Sequence, residues 1–430
     1  MMPIRGKNAL LMLLLLVALP TAAQSHSAAE QFRSIRAKLK DVRKSSDWPA
    51  SLAAANDLVR LLNRSPESLL ELARAEVHVN QFTEAFRDLE EFVRMGQATD
   101  LLETSPEFAA LRQQARFAEI AKAMSANLTR VSLSSTAFQL SSSALLAEDL
   151  DYDPASKRFL ISSVREKKIV WSDTSGTVHD FAKAPDNWPM LAIKIDSRTR
   201  VVWATEVALQ GFIFAPEADW GRSAIVCFKL DGGKLLRRIE APRGTSLGDM
   251  ALAGNGDVIV SDGEGGGVYR VTANAERLQR LDDGDFISPQ TPAVSPDGHR
   301  VFVPDYVRGI GILDLATKEL KWLSMQGQFA LNGIDGLYFK SGKLIAVQNG
   351  TSPERVVAFT LEPSFGKVLS EKIIEQSTET LGDPTHGVIV GDEFYYIANS
   401  GWDVIDEHGN LNPGAKMSEP RVMRVPLGQF

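Results

Sequence analysis

Apolar and polar positions alternate in two different ways along this 430-residue chain. Between residues 24 and about 125 the apolar residues recur at three and four. Examples are Leu58, Leu61 and Leu62, then Leu69, Leu70, Leu72 and Ala73, then Phe82, Ala85, Phe86, Leu89 and Phe92. That spacing places them on one face of a helix, and the surrounding Ala, Leu, Glu, Arg and Gln are strong helix formers. Past residue 143 the pattern becomes short β-rich runs separated by Gly, Asp, Asn and Pro, as in a many-stranded antiparallel fold.

The β-rich half repeats itself. An apolar strand, often closed by Asp or Asn, is followed by a loop and a further strand in six copies. They begin at FLISS (159 to 163), VVWAT (201 to 205), VIVSD (258 to 262), VFVPD (301 to 305), LIAVQ (344 to 348) and FYYIANS (394 to 400). Each is preceded by a turn signal such as Asp153-Pro154, Gly254-Asn255-Gly256 or Pro296-Asp297-Gly298. Repetition of a roughly four-stranded unit at about 40 to 60 residues predicts a radial β-propeller of six blades. A β-sandwich seldom repeats its sequence, and a β-helix repeats at shorter intervals. The expected class is therefore multidomain α and β, an α-helical domain followed by a six-bladed β-propeller.

The expected organisation is a signal peptide over 1 to 23, a helical domain over 24 to 125, a Ser/Thr-rich linker over 126 to 143 and the propeller over 144 to 430. Arg5 and Lys7, an apolar run from 9 to 19 and Pro20-Thr21-Ala22-Ala23 read as a secretory signal cleaved near Gln24. The apolar run is about half of the ~20 residues a membrane span needs. The expectation is a periplasmic or secreted protein with no membrane span after signal removal. The stretch from Ser65 to Gly96 resembles a tetratricopeptide unit, with Pro66 near the first helix start, Leu72-Ala73, and Ala85 and Leu89 on the second helix. A repeat of that kind offers a groove for a protein or peptide partner, and the plainer reading is that the helices cap the second domain.

Composition sharpens this division. Of 32 glycines, only Gly6 and Gly96 precede residue 175. The net charge of −7 is concentrated after residue 140, because residues 24 to 140 hold fifteen basic and fifteen acidic side chains. Such a balance supplies no basic face for a nucleic-acid backbone. Cys227 is the sole cysteine, which excludes an intramolecular disulfide and a cysteine-based zinc site.

The innermost strand of each blade lines a propeller's channel, so side chains at the starts of the units converge there. Those positions hold Glu148, Met190-Leu191, Asp249, Gln290-Thr291, Asn332 to Asp335, and His386. Several carry oxygen, which suits a hard cation such as Ca²⁺. The segments Glu148-Asp149-Leu150-Asp151-Tyr152-Asp153-Pro154-Ala155 and Ile334-Asp335-Gly336-Leu337 resemble blade starts of the senescence-marker-protein and gluconolactonase family, grouped with strictosidine-synthase-like and paraoxonase-type propellers. The resemblance covers roughly residues 144 to 428.

It implies a lactone or related ester hydrolase with a divalent cation in the channel, Glu148 as a ligand, and Asp335 as both ligand and catalytic base. The family's middle-blade Asn positions are occupied by Gln290-Thr291 and Gly248-Asp249, and Asn332 could supply an amide oxygen instead. The expected metal ligands are thus Glu148, Asp249, Gln290, Asn332 and Asp335, with Asp335 and His386 as catalytic candidates. The plainer reading has Glu148 and Asp335 satisfying backbone amides at the channel mouth and His386 as a packed imidazole. The competing class is a non-catalytic ligand- or protein-binding propeller. Gly244-Thr245-Ser246-Leu247-Gly248 lacks the strand and helix of a nucleophile elbow, and Gly263 to Gly267 reads as a hairpin loop.

Overall fold

The computed structural model describes residues 27 to 429. The expected signal peptide, 1 to 23, lies outside the described residues. No helix among the described residues is long and apolar enough to cross a membrane.

Four helices open the chain: α1 (Ala28–Lys44), α2 (Trp48–Leu61), α3 (Pro66–His78) and α4 (Phe82–Arg94). Each start is marked in sequence. Ser27 and Glu30 form a reciprocal capping box on α1, and Asp47 caps α2 through the backbone N–H of Ala50. Pro66 opens α3 at a position whose N–H would have no helical partner. The predicted stripes are the buried faces: Leu58 and Leu62 lie in one apolar cluster, and Leu69, Phe86, Leu89 and Phe92 in another. Short turns lead to a closing helix, Phe117–Asn127, which packs on α4.

The rest of the chain forms six antiparallel sheets. Blade 1 is built of Ala147–Asp153, Arg158–Ser163, Lys168–Ser172 and His179–Lys183, and blade 2 of Met190–Asp196, Val201–Ala208, Arg222–Lys229 and Leu235–Glu240. Blade 3 runs from Leu247–Leu252 to Gln279–Arg280, blade 4 from Ala293–Val294 to Leu320–Trp322, and blade 5 from Gly336–Lys340 to Lys367–Gln376. Blade 6 contributes Gly387–Val390, Glu393–Ile397 and Arg421–Pro426. Innermost strands of successive blades are neighbours, and that of blade 6 lies against that of blade 1, so the six sheets close a ring. The protein is a six-bladed β-propeller with an N-terminal helical region. Each repeated apolar run is the second strand of its blade, buried on both faces because blades stack on either side.

The stretch expected as a Ser/Thr-rich linker supplies strands instead. Val131–Ser132 adds to the outer edge of blade 5, and Ser135–Gln139 is the fourth, outermost strand of blade 6, paired with Arg421–Pro426. Its polar residues are explained by that position, since an outer strand has a solvated face. Phe138 alone turns inward and packs 5.0 Å from the Phe159 ring of blade 1.

Hydrogen bonds join every neighbouring pair of blades around the channel. Asp149 Oδ2 accepts from Ile193 N at 2.9 Å and from Lys194 Nζ at 2.5 Å, linking blades 1 and 2. Thr205 Oγ1 donates to Gly248 O at 3.0 Å, and Ser261 Oγ to Gln290 O at 2.8 Å. Thr291 N donates to Asp335 O at 3.2 Å, Gly387 N to Tyr338 OH at 2.6 Å, and His386 Nδ1 lies 2.9 Å from Glu148 O.

The helices sit on blades 3 to 5. Ala28 N donates to Gly284 O at 2.9 Å and Ala98 N to Ser352 O at 2.7 Å. Ile287 and Val307 join the apolar cluster of α1, α2 and α3, and Ala330 joins that of α4 and the closing helix. These contacts are with loops that follow second strands or precede first strands, the same end of the blades that carries the axial side chains.

Phe138→Ala should lower the unfolding free energy by about 3–5 kcal/mol, because it empties the contact between the closing strand and blade 1. Urea denaturation measures this, and an unchanged midpoint would show that the strand contributes nothing to closure.

Candidate functional site

The residues that meet on the axis come from first strands or the turns just before them. Glu148 and Asp149 open blade 1, Asp249 lies in the first strand of blade 3, Asp335 precedes that of blade 5, and His386 precedes that of blade 6. A first strand faces the channel, and the side chain at its start points where the six blades come together. Glycine follows both Asp335 and His386. A Cβ at Gly336 would sit 3.0 Å from the Tyr338 ring, and one at Gly387 2.4 Å from the Phe394 ring, so these positions admit no side chain without displacing an aromatic.

His386 is the hub. Its Nε2 lies 2.6 Å from Asp249 Oδ1, across the channel, and 3.9 Å from Asp335 Oδ1. Its Nδ1 faces the Glu148 carbonyl, with Glu148 Oε1 4.0 Å away. The imidazole is 1% exposed. Asn349 Nδ2 donates to Asp335 Oδ2 at 3.0 Å, and Tyr306 OH in turn to Asn349 Oδ1 at 3.0 Å. Trp402 Nε1 donates to Glu148 Oε2 at 2.5 Å.

Burial disfavours ionised carboxylates, and with few cations nearby it pushes the Glu148 carboxyl up to about 8 and that of Asp335 up to about 6. The His386 imidazolium draws both back toward the ionised form. For His386 burial works against the charged ring, but the carboxylates of Asp335 and Asp249 outweigh it and hold the imidazole protonated well above its ordinary range. A second acidic group adjoins. Glu354 and Asp383 are each raised to about 7, by burial first and then by each other's charge in one case and by Asp335 in the other.

Glu148, Asp335 and His386 form a possible metal-binding triad. Each offers one ligand atom, and these atoms all lie within 4.8 Å of one another. A proton on Nδ1, donated to the Glu148 carbonyl, leaves Nε2 as the donor, the way a ligating imidazole is usually oriented by its other nitrogen. The hydroxyls of Thr291 and Thr385, each beside this cluster in sequence or in space, are buried without a hydrogen-bond partner among the described residues. Buried hydroxyls of this kind call for a water or ligand in the channel.

Two expected ligands are placed otherwise. Gln290 spends its amide on Ser288, donating to Oγ at 3.0 Å and to the carbonyl at 3.3 Å. Asn332 lies three residues before Asp335 but lines a small cavity against α3, together with Ser65, Met95 and Arg308. The turn at Gly333, with φ of +64°, separates the directions of Asn332 and Asp335. Asp249 faces His386 and reaches the cluster through that ring. Asn349 and Lys194 escaped the reading of the blade starts, and so did the bond from Trp402 to Glu148, because Trp402 belongs to a long irregular insertion. Asp149 stood in the quoted segment, but nothing marked Lys194 as its partner.

No family model matches the sequence, and no curated protein matches it. Among solved structures it is similar to the PQQ-bound aldose sugar dehydrogenase of Streptomyces coelicolor, at 13% identity over 67% of this chain and 96% of that one, with a TM-score of 0.46. A luciferin-regenerating enzyme matches at 12% identity over 68% and 93%, also at 0.46. The virginiamycin B lyase of Staphylococcus aureus matches at 11% identity over 67% and 97%, again at 0.46. The six-bladed assignment stands on the chain's own strand pairing.

Glu148 and Asp335 have folded-state pKa values raised above the ordinary 4.5 and 3.8, and His386 is raised above 6.5. Their contributions to stability are full below the unfolded values and are lost as pH rises through the folded ones. Chelator-treated protein should therefore lose stability between about pH 4 and pH 8, and Glu148→Gln should flatten the upper part of that fall. Denaturant titrations at stepped pH measure it; stability rising over the interval would contradict the arrangement.

Proposed function

We propose that this protein is a hydrolase of the gluconolactonase type, cleaving a lactone or related ester with a divalent cation held by Glu148, Asp335 and His386. The observation that supports it is the convergence of those three ligand atoms at the axis. The mixed oxygen and nitrogen set suits Mn²⁺, Fe²⁺ or Zn²⁺ better than the Ca²⁺ expected from oxygen ligands alone. When bound, such a cation would polarise the substrate carbonyl and acidify a water.

The chain's own groups would handle the protons. Asp335, raised to about 6 and steadied by Asn349, accepts the proton of the attacking water as the new C–O bond forms. Asp335 then returns that proton to the leaving alkoxide as the ester C–O bond breaks, while the Nδ1 contact with the Glu148 carbonyl keeps Nε2 of His386 turned toward the cluster. Trp402 fixes one oxygen of Glu148 and leaves the other directed at the cluster. We further propose that the chain is exported through residues 1 to 23, and that the helices wall one side of the channel mouth.

Elemental analysis of purified protein should find about one divalent metal per chain, and lactonase and arylesterase turnover should fall on chelation. Asp335→Asn should lower kcat/KM by about 10²–10⁴-fold while leaving the fold intact. Absence of metal together with absence of chelator-sensitive turnover on every lactone and aryl ester would replace this reading with a non-catalytic ligand-binding propeller.

A further inference from the structure

Two insertions stand beside the axial cluster. One, residues 209 to 221, joins the second and third strands of blade 2, and the other, residues 398 to 420, joins the second and third strands of blade 6. They meet over blade 1, where Ile213 N donates to His408 O at 2.9 Å and His408 Nδ1 lies 3.1 Å from Gly211 O. Phe212 stacks on Trp402 with ring centroids 5.8 Å apart, and both join Leu146, Val164, Phe214, Ile405 and Met417 in one apolar cluster.

Between the insertions lies a pocket of about 180 Å³, lined chiefly by Leu146, Arg165, Ile213, Phe214, Leu411 and Met417. Ile213 is 54% exposed and Leu411 44%, so two large apolar side chains border it without cover. Arg165, at the turn after the second strand of blade 1, has no ion pair or side-chain hydrogen bond among the described residues. An apolar wall with one unengaged guanidinium matches a ligand that is apolar along its length and negatively charged at one end.

We propose that this pocket binds the apolar arm of a small amphipathic carboxylate, with an alkyl or aryl segment among Ile213, Phe214, Leu411 and Met417 and the anionic group at Arg165. The inference deepens the hydrolase reading, and rests on it for the ligand's other end. Leu146 is two residues from Glu148, ~7 Å along an extended chain. Trp402, in the pocket's own apolar cluster, is bonded to the Glu148 carboxylate. An ester group at the near end of the arm would face the axial residues, so the pocket would select the substrate's acyl or alkyl portion.

Calorimetric titration of the full-length protein with straight-chain alkanoates from butanoate to decanoate, and with the matching alkanols, tests this directly. Affinity should rise about three- to fourfold per methylene until the pocket is filled. Ile213→Asp and Leu411→Asp should each abolish the chain-length dependence without changing Tm, since both side chains are half exposed. Arg165→Ala should weaken alkanoates about tenfold and leave alkanols unchanged. Affinity independent of chain length, or unaltered by Ile213→Asp and Leu411→Asp, would overturn the proposal, as would binding to anionic or neutral lipid vesicles without binding to monomeric alkanoates. Asp335→Asn should retain alkanoate binding. Chain-length dependence that stands while no ester is hydrolysed by the wild type would overturn the hydrolase reading and leave the pocket assigned.

Discussion

The hydrogen bond between His386 Nε2 and Asp249 Oδ1 crosses the channel from blade 6 to blade 3, and the arrangement of the axis depends on it. The carboxylates of Glu148, Asp249 and Asp335 lie close together at low exposure, where unbalanced charge is costly. The imidazolium is the cation nearest to all three, and its second nitrogen is anchored on the backbone of blade 1. Asp149 is paired directly with Lys194, and its charge adds a smaller share to the field that holds the ring protonated. The ring of inter-blade bonds thus serves two ends: it holds six sheets in register at their crowded edge, and it fixes where the proton-carrying groups stand.

That arrangement explains why a metal and a proton are alternatives at this place. Nε2 is the nitrogen left by the Glu148 carbonyl, and it now shares a proton with Asp249. Binding a cation there would require Asp249 to give up that contact and would remove the pressure that raises Glu148 and Asp335.

The blades were legible because their second strands are buried on both faces and are closed by turn residues, giving runs such as Val258 to Asp262 that survive any choice of register. The axial residues were legible for a related reason: they stand at adjacent places at the start of each unit, Glu148 and Asp335 at one and Asp249 and His386 at the next. Gln290 stands at such a place too and Asn332 three residues before one, but a neighbouring Ser holds the first and a turn intervenes at the second, and repeat position carries no information about that. Ser135 and Thr136 read as linker because the partners that make them a strand, Arg424 and Met423, lie at the far end of the chain. The insertions carrying Phe212 and Trp402 follow neither period, so their meeting over blade 1 had no local signature.

The strand that seals the ring carries a consequence for biosynthesis. Thr136 and its partner Met423 are separated by 287 residues, so the segment made before any blade must wait, unpaired, for the last strand to be synthesised. The helical region is complete by Asn127 and can fold while the rest is still being translated. It then holds the waiting strand at one end and presents the surface against which blades 3 to 5 assemble. Loss of the final ten residues would strand an exposed edge at the start of the propeller as well as at its end.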